Sequence, residues 1–277
     1  MIIVADSGST KTDWRLIKED GKIESFNTIG FNPFFITADG VINELSSSEL
    51  SKVNEQVSRV FFYGAGCSSI ENNQVLQKAL ATFFKYAQVE VEHDMLGAAR
   101  ALCGHEKGMV AILGTGSNSC VYDGNEIVAN IKALGFILGD YGSGADIGKT
   151  IIRAYLEKEL PEEIHAEFID QYHLSVDDIL EAIYQKSLPN RFLASFNLFI
   201  AQYVGHPFIK EMIKERLDLF FTKNICKYID YQNNKLHLVG SIADVYQDLI
   251  REVAKQHGVE VGKIIRQPIE ALVNNHL

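Results

Sequence analysis

Two short stretches combine the residue types that bind phosphate, and the first lies near the start of the chain. Asp6-Ser7-Gly8-Ser9-Thr10-Lys11-Thr12-Asp13 stands between two apolar runs, so it predicts a strand, a tight turn and a second strand. Glycine lets a backbone approach a bound group, while hydroxyls and amides can donate hydrogen bonds to it. Lys11 adds positive charge, and Asp6 with Asp13 could orient a hydrated Mg²⁺. Taken alone, the stretch is explained equally well as an ordinary hairpin with a polar turn.

The second stretch repeats this pattern in the other half of the chain. Gly114-Thr115-Gly116-Ser117-Asn118-Ser119 follows the apolar run 109–113 and precedes the short apolar segment 120–122. Asp-Gly pairs at 20–21 and 123–124 then predict hairpin turns at corresponding places in the two halves. An internal repeat of this kind predicts two equivalent loops that hold one polyphosphate between them.

Composition narrows the class of protein. A chain of 277 residues with 47% hydrophobic residues is long enough for a sizeable core and for two domains. The net charge of −10 argues against a nucleic-acid or anionic-membrane partner. No apolar run is long enough to span a bilayer and the N-terminus lacks a signal-peptide pattern, so we expect a cytoplasmic protein. The four cysteines are scattered, which indicates reduced thiols rather than disulfides or a zinc site.

Asp94 is the candidate general base. It stands where a predicted strand, 89–94, meets a predicted helix of small residues, 95–102. A carboxylate there could accept a proton from a substrate hydroxyl, and the start of a helix favours its ionised form. The alternative is that Asp94 merely caps the helix, and His93 is interpreted as structural.

Two further polar positions follow predicted strands. Asn32 lies in a loop after the predicted strand 22–28, where its amide could bind a polyol, although a plain Asn-Pro turn is the simpler interpretation. Asp140 lies in the glycine-rich segment 139–148, whose glycine spacing fits neither a P-loop nor a dinucleotide-binding fingerprint. We expect Asp140, beside backbone amides at a helix start, to bind sugar hydroxyls or to order a metal-bound water.

The remainder of the chain predicts helices and then a return to strands. Residues 160–232 are mostly helical in pattern, with predicted helices at 161–168, 176–185, 190–204 and 207–231. A buried strand at 235–239 ends in Gly240-Ser241, which opens a predicted helix to about residue 257 and could receive the adenosine part of a nucleotide. A last strand at 259–265 and a short helix at 268–273 complete the predicted order.

With these motifs in place, the chain resembles the BadF/BadG/BcrA/BcrD-type ATPases, and within them the N-acetylglucosamine kinase branch of the actin/Hsp70/hexokinase superfamily. The resemblance rests on the two phosphate loops, on the block Leu138-Gly139-Asp140-Tyr141-Gly142-Ser143-Gly144, and on Leu238-Val239-Gly240-Ser241. It implies an α/β fold of two RNase-H-like (actin/hexokinase-type) domains with a cleft between them. The first domain would span 1–106, with the C-terminal helix at about 267–277 packing back on it. The second would span 107–266, with a helical insertion at about 160–232.

The resemblance also implies an activity and a set of site residues. It implies a kinase that uses ATP and Mg²⁺ to phosphorylate an amino sugar, N-acetylglucosamine at its 6-hydroxyl, and it allows a homodimer. Asp94 would be the catalytic base, and Asp6 would hold Mg²⁺ through water. The expected nucleotide-binding residues are Ser9, Thr10, Lys11, Thr115, Gly116, Gly240 and Ser241. The expected sugar-binding residues are Asn32, Asp94, Ser117, Asn118, Gly135 and Asp140.

Two departures from the family pattern leave alternatives open. Tyr141 stands where the family usually has Glu, and Ser241 stands where a second Gly is usual. An ATPase activator of a dehydratase, with an iron–sulfur cluster, is one alternative, but its Gly-Gly-Gln-Asp block is replaced here by Gly114-Thr115-Gly116-Ser117. A sugar-binding regulator that has lost catalysis is the other, and the Tyr141 departure keeps it open.

Overall fold

The chain forms two compact units, each built on its own sheet. The computed structural model describes every residue except Ser9. Unit 1 comprises Met1–His105 together with Gln267–Leu277, and unit 2 comprises Glu106–Arg266. The chain thus leaves unit 1, completes unit 2, and returns to unit 1.

In the part of the chain that the structure describes, ten strands form two five-stranded sheets. The strands are β1 Ile2–Ser7, β2 Lys11–Ile17, β3 Ile23–Ile29, β4 Arg59–Gly64, β5 Gln88–His93, β6 Gly108–Leu113, β7 Ser117–Tyr122, β8 Ile127–Ile131, β9 Leu236–Val239 and β10 Val261–Ile265. The order is β3-β2-β1-β4-β5 in unit 1 and β10-β9-β6-β7-β8 in unit 2. In each sheet the first three strands along the chain are antiparallel neighbours, and the last two run parallel to the first. The internal repeat predicted from the two glycine-rich stretches is therefore confirmed.

Helices cover the sheets and fill the long segment before β9. They are α1 Ala38–Ser47, α2 Ile70–Phe83, α3 Asp94–Cys103, α4 Gly135–Leu138, α5 Gly144–Leu156, α6 Glu162–Tyr172, α7 Val176–Tyr184, α8 Pro189–Ser195, α9 Asn197–Ile200, α10 Pro207–Lys223, α11 Ser241–Val245, α12 Gln247–Gln256 and α13 Ile269–His276. Within the described residues, none of these helices is long and apolar enough to cross a membrane.

Aromatic side chains fill the core of unit 1 on one face of its sheet. Trp14 on β2 is fully buried, and its ring centroid lies 5.9–6.3 Å from the ring centroids of Phe31, Phe62 and Phe84. Its indole N–H donates to Thr28 Oγ1 at 3.0 Å, which satisfies the one polar atom of the ring. This packing fixes β1 and β2, and with them the loop that joins the two strands.

The other face of the unit 1 sheet is covered by α3 and by α13, the last helix of the chain. Ile269, Leu272 and Val273 on α13 are buried in one cluster with Val4 and Phe61 of the sheet. The sheet therefore has an apolar layer on both faces, as expected for the buried central strands β1 and β4.

The predicted helix 190–204 is divided into α8, α9 and a 3₁₀ turn at Ala201–Tyr203, and three other details also differ from the sequence predictions. Polar residues 117–119 belong to β7 rather than to the turn, because they pair with β6 and the side chains of Ser117 and Ser119 are buried. The predicted helix 207–231 ends at Lys223, where the backbone passes into a short 3₁₀ turn. The predicted helix from 241 is broken at Tyr246, whose buried hydroxyl donates to Asn197 Oδ1 at 3.1 Å.

Candidate functional site

The loop between β1 and β2 is a tight hairpin whose hydroxyls are partly committed to the fold. The Gly8 N–H donates to the Lys11 carbonyl at 3.0 Å, which closes the turn. Ser7 Oγ and Thr12 Oγ1 are both buried and lie 2.8 Å apart, and Ser7 Oγ also accepts the Phe31 N–H. These two hydroxyls therefore hold the hairpin together rather than facing a ligand. Thr10 and Lys11 are exposed, and the predicted nucleotide-binding residue Ser9 lies outside the described residues.

Three carboxylates of unit 1 interact electrostatically at this end of the sheet. Asp6 on β1 is paired in register with Asp13 on β2. Burial first, and then the charges of Asp94 and Asp13, raise the pKa of Asp6 to about 7, although the Lys11 ammonium opposes this rise. Lys11 Nζ is already bound to Asp13, at 2.9 Å from Oδ2 and 3.1 Å from Oδ1. Together, the three carboxylates and the Lys11 ammonium carry more negative than positive charge. A bound cation would reduce the repulsion between the carboxylates.

Asp94 is the first residue of α3, and its carboxylate is 28% exposed. It does not cap the helix, so the capping alternative is wrong. The N-cap is His93, whose Nδ1 accepts the Met95 N–H at 3.0 Å. The same Nδ1 lies 2.8 Å from Asp94 Oδ1. The sequence interpretation missed this pairing, although a histidine directly before a candidate base is a signal that could have indicated it.

The small residues of α3 allow the helix to pack closely on β4. A Cβ atom at Gly97 would lie 2.8 Å from the ring of Tyr63, so only glycine fits there. One turn further along, Arg100 Nη1 donates to the Tyr63 hydroxyl at 2.8 Å, and that hydroxyl lies 2.8 Å from His276 Nε2 on α13. The group that approaches these small residues closely is the Tyr63 ring. The packing holds α3, and thus Asp94, against the sheet.

Asn32 is buried in the loop after β3 and has a clear local role. Its Oδ1 accepts the Phe34 N–H at 3.0 Å, and its carbonyl accepts the Phe35 N–H at 2.8 Å. This is the Asn-Pro turn of the simpler interpretation. The same Oδ1 would lie 2.4 Å from a Cβ atom at Gly66, so the loop after β4 passes directly beside it.

The second glycine-rich loop, 114–116, is held by the start of α5. The Gly144 N–H donates to the Gly114 carbonyl at 2.8 Å, and the Ala145 N–H donates to the Thr115 carbonyl at 3.0 Å. The loop is closed by the Gly114 N–H, which donates to the Gly116 carbonyl at 3.0 Å. The helix therefore uses its first amides to fix the loop that joins β6 to β7.

Asp140 lies against this loop. Its Oδ2 would be 2.9 Å from a Cβ atom at Gly116, and its carboxylate accepts a hydrogen bond from the Ser117 N–H. Burial raises the pKa of Asp140, and the charge of Asp146 adds to this, while the Ser117 N–H and Lys149 oppose it. The backbone φ of Asp140 is +52°, in the left-handed region that short polar side chains tolerate. The structure thus brings together two separate sequence motifs, one that contains Thr115, Gly116 and Ser117 and one that contains Asp140.

Asp146 is a buried carboxylate that the sequence interpretation missed. Its Oδ2 accepts the Gly142 N–H at 3.1 Å, and its own N–H donates to Ser143 Oγ at 3.2 Å. Burial raises its pKa, and the Gly142 N–H and the Arg216 guanidinium oppose the rise. The Ser143-x-x-Asp146 spacing is a helix-start signature that could have revealed it. Asp146 fixes the backbone that follows Asp140.

The remaining predicted sugar-binding residues differ in exposure. Ser117 begins β7 and is buried. Asn118 is half-buried, and its Oδ1 accepts from the Ser119 N–H at 2.9 Å and from Asn130 Nδ2 at 3.0 Å. Gly135 begins α4, is exposed, and has a φ of +73°.

Gly240 and Ser241 lie at the end of β9, beside the end of β6. Gly240 has a φ of +131°, and a Cβ atom there would be only 2.1 Å from the Leu113 carbonyl oxygen. Glycine is therefore required at this position. Ser241 begins α11 and is exposed.

The predicted site residues were also compared with possible metal-binding groups of side chains and with a cavity in unit 2. Within the part of the chain that the structure describes, no group of three or more His, Cys, Asp or Glu side chains is arranged to hold a metal ion. A cavity of about 460 Å³ in unit 2 lies between α5 and α10, and none of the predicted site residues lines it. The candidate residues lie at the ends of β1 and β5 within unit 1, and at the ends of β6 and β9 within unit 2.

Comparisons with known proteins agree with these motifs. The sequence profile of the BadF/BadG/BcrA/BcrD ATPase family matches residues 5–185. A curated relative, the N-acetylmuramic acid/N-acetylglucosamine kinase of Clostridium acetobutylicum, is 26% identical over 259 residues, which are 86% of this chain and 83% of the relative.

Solved structures extend the likeness to the whole chain. A structure from Porphyromonas gingivalis, provisionally assigned as an N-acetylglucosamine kinase, is 40% identical with a TM-score of 0.95, covering 100% of this chain and 98% of the other. A ROK family glucokinase from Streptomyces griseus, solved with glucose and AMPPNP, shares 17% identity and a TM-score of 0.59 over 99% and 97% of the two chains, so it shows the fold alone. The predicted actin/hexokinase-type fold is confirmed. The chain belongs to the BadF/BadG/BcrA/BcrD ATPase family, and within it to the sugar-kinase type.

Proposed function

We propose that this chain transfers the γ-phosphoryl group of ATP to the 6-hydroxyl of N-acetylglucosamine. The observation that carries the proposal is the Asp94 carboxylate, which stands partly exposed at the start of α3 and interacts electrostatically with Asp6. Relatives at 26% and 40% identity bear the name of N-acetylglucosamine kinase. A cytoplasmic location follows from this activity, because ATP and the phosphorylated sugar are cytoplasmic metabolites.

The proposed reaction is a single in-line displacement. Asp94 accepts the proton of the sugar hydroxyl as that oxygen forms a bond to the γ-phosphorus. The bond between the γ-phosphorus and the bridging oxygen breaks, and ADP leaves with the electron pair of that bond. Asn32, Ser117, Asn118, Gly135 and Asp140 are proposed to position the sugar.

We assign the nucleotide to the glycine-rich loops. In unit 1, Thr10 and Lys11 donate to phosphate oxygens, since both residues are exposed there. In unit 2, Thr115 and Gly116 do the same from a loop that the start of α5 holds rigid. Gly240 and Ser241 flank the nucleoside.

Mg²⁺ fits the acidic end of the unit 1 sheet. The pKa of Asp6 is raised by burial and by two neighbouring carboxylates, so a cation that favours the ionised form has a place there. Asp6 would hold the ion through water, since Mg²⁺ usually keeps several waters and takes phosphate oxygens as further ligands. When bound, the ion supplies positive charge to the β- and γ-phosphates.

An ADP-release assay tests the proposal. The purified chain is mixed with Mg-ATP and, separately, with N-acetylglucosamine, N-acetylmuramic acid, N-acetylmannosamine, glucosamine, glucose or no sugar. We expect release that depends on N-acetylglucosamine and is lost with its 6-deoxy analogue. Release without any sugar would contradict the proposal and favour an ATPase of the dehydratase-activator kind. ATP binding without release in any mixture would favour a regulator that has lost catalysis.

The role of Asp94 has its own test. Asp94→Asn keeps the shape of the side chain but removes the base, so we expect kcat to fall by about 10²–10⁴-fold with ATP affinity largely unchanged. Glu92→Gln, which neutralises a carboxylate two residues earlier on β5, is the matched control and should retain activity. A loss of ATP binding that parallels the loss of turnover in Asp94→Asn would indicate a structural role instead.

A further inference from the structure

His93, at the end of β5, has two neighbours that require opposite proton states of one nitrogen atom. Its Nδ1 lies 2.8 Å from Asp94 Oδ1, a contact in which the imidazole must donate a proton. The same Nδ1 lies 3.0 Å from the Met95 backbone nitrogen, which is a donor, so in that contact the imidazole must accept. One ring nitrogen cannot make both hydrogen bonds at once.

We propose that His93 is a positioning residue that determines whether the Asp94 carboxylate is held or free, an inference that rests on the proposed role of Asp94 as the base. When Nδ1 carries a proton, it donates to Asp94 Oδ1, which ties the carboxylate to the end of β5 and offsets its charge. When Nδ1 is unprotonated, it accepts the Met95 N–H, caps α3, and leaves both oxygens of Asp94 available to a sugar hydroxyl. Loss of the Nδ1 proton, with the remaining ring proton on Nε2, therefore activates the base.

The groups around His93 affect the pH at which its ring gains or loses the proton. Burial opposes protonation of His93, but the hydrogen bond to Asp94 and the charge of Asp94 outweigh it and raise the pKa above its ordinary value of about 6.5. The charge of Asp94 in turn raises the pKa of Asp6 on β1. The pKa of the Cys67 thiol, beyond β4, is raised to about 12 by burial and by the charges of Asp94 and Glu92, so this thiol stays neutral. The β4 residue paired with His93 is Gly64, which has no charge.

Two substitutions distinguish the effect of the His93 proton from the role of His93 as the N-cap of α3. In His93→Asn, the amide oxygen can still cap α3, because Asn is a favoured N-cap residue, but the side chain has no proton to lose in this range. His93→Ala removes both functions. We expect kcat/KM for N-acetylglucosamine in the wild type to fall by up to about tenfold per pH unit below the His93 midpoint. In His93→Asn, that acidic fall should be absent, and His93→Ala should behave likewise but melt at a lower temperature than His93→Asn.

The kinetic result can contradict the inference. If His93→Asn retains the acidic fall of the wild type, the fall belongs to another group, such as Asp6, and the proposal is overturned. If His93→Asn loses activity at every pH while its melting temperature matches the wild type, His93 acts otherwise than through its proton, and the proposal is again overturned.

A second measurement does not depend on turnover. The proton NMR signal of the His93 ring is the histidine signal missing from His93→Asn, and its chemical shift is followed against pH. We expect its midpoint above the ordinary histidine value in the wild type, and a downward shift in Asp94→Asn, because the partner charge is gone. An unchanged midpoint in Asp94→Asn overturns the proposal even if the chain is an active kinase. A shifted midpoint in a chain without kinase activity would confirm the pair and overturn the proposed function instead.

Discussion

Asp6 is a partly buried carboxylate whose pKa, at about 7, is unusual because burial and two like charges disfavour its ionised form. Its value in the unfolded chain is near 3.8, so between these two pH values the folded chain holds a proton that the unfolded chain has lost. Stability therefore falls as pH rises from about 4 to about 7, and the full cost of ionising Asp6 is present above pH 7.

The raised pKa of Asp6 predicts how the stability of Asp6→Asn depends on pH. The neutral variant should melt at a higher temperature than the wild type at pH 8, and the difference should shrink at pH 5. Differential scanning calorimetry without Mg²⁺ measures both. Asp20→Asn is the control, because Asp20 is exposed and its pKa is lowered by its hydrogen bonds to Lys22, so that variant should show no gain at pH 8. An equal difference at both pH values for Asp6→Asn would contradict the assignment.

Single residues also show what the sequence could and could not predict about the site. The positions of Asp94 after β5 and of Asp140 beside a glycine loop followed from motif order. The contact of His93 with Asp94, and the commitment of Ser7 and Thr12 to each other, depend on side-chain rotamers at the ends of strands. No periodicity records such rotamers, so these contacts appear only in the folded chain.

At the scale of elements, α5 has to meet two demands at once. Its first turn fixes the second glycine-rich loop and Asp140, while its second turn packs against α8 at very short range. A Cβ atom at Gly148 would lie 1.8 Å from the Leu193 carbonyl oxygen, which is backbone and cannot rotate away. The glycine, which the sequence alone suggested as part of a loop motif, is thus required by helix packing.

We predict that Gly148→Ala destabilises unit 2 in spite of the better helix propensity of alanine. Alanine gains about 1 kcal/mol over glycine in a helix interior, but a backbone clash of this size costs about 1–3 kcal/mol or more. Gly205→Ala is the matched control, because nothing lies within 4 Å of a Cβ atom there and its φ is not in the left-handed region. Chemical denaturation of both variants gives the comparison. Equal stability of Gly148→Ala and the wild type would show that α8 moves aside freely.

The sequence predicted the buried apolar strands best. The strands β6 and β9 match their predictions to within a few residues. Besides the breaks in the predicted helices 190–204 and 241–257, the errors concern polar residues 117–119 and the segment 224–231. In the first case pairing with β6 overrides the weak strand preference of the residues, and in the second a 3₁₀ turn replaces helix. Both outcomes are set by neighbours that are distant in the sequence.

At the scale of the whole molecule, the chain repeats one sheet topology twice and then returns to the first unit. The return is made by α13, which buries Ile269, Leu272 and Val273 on the unit 1 sheet and places His276 beside Tyr63. The imidazole of His276 also stacks on the Phe61 ring, with 3.8 Å between centroids. The pattern of the two glycine-rich loops predicted the repeat, whereas the return of α13 was expected only from the family resemblance, because a short apolar helix does not reveal its partner.

Ending the chain at Arg266 tests the importance of that return. We expect hydrogen-exchange protection to fall across β1 and β4, which lose an apolar cover, while β6 and β9 of unit 2 keep theirs. Removal of Leu277 alone, which is 76% exposed, is the control and should change neither. Loss of protection that is equal in the two units would mean that they unfold together.

The discontinuity of unit 1 has a consequence for the order in which the nascent chain folds on the ribosome. All of unit 2 is synthesised before α13, so its core can close while unit 1 still lacks its last helix. The unit that is translated first is therefore completed last. Until then the part of the unit 1 sheet face that α13 covers, with Val4 and Phe61, lies open to other chains or to a chaperone, and chains that end at Arg266, once released, should be cleaved by protease in unit 1 and not in unit 2.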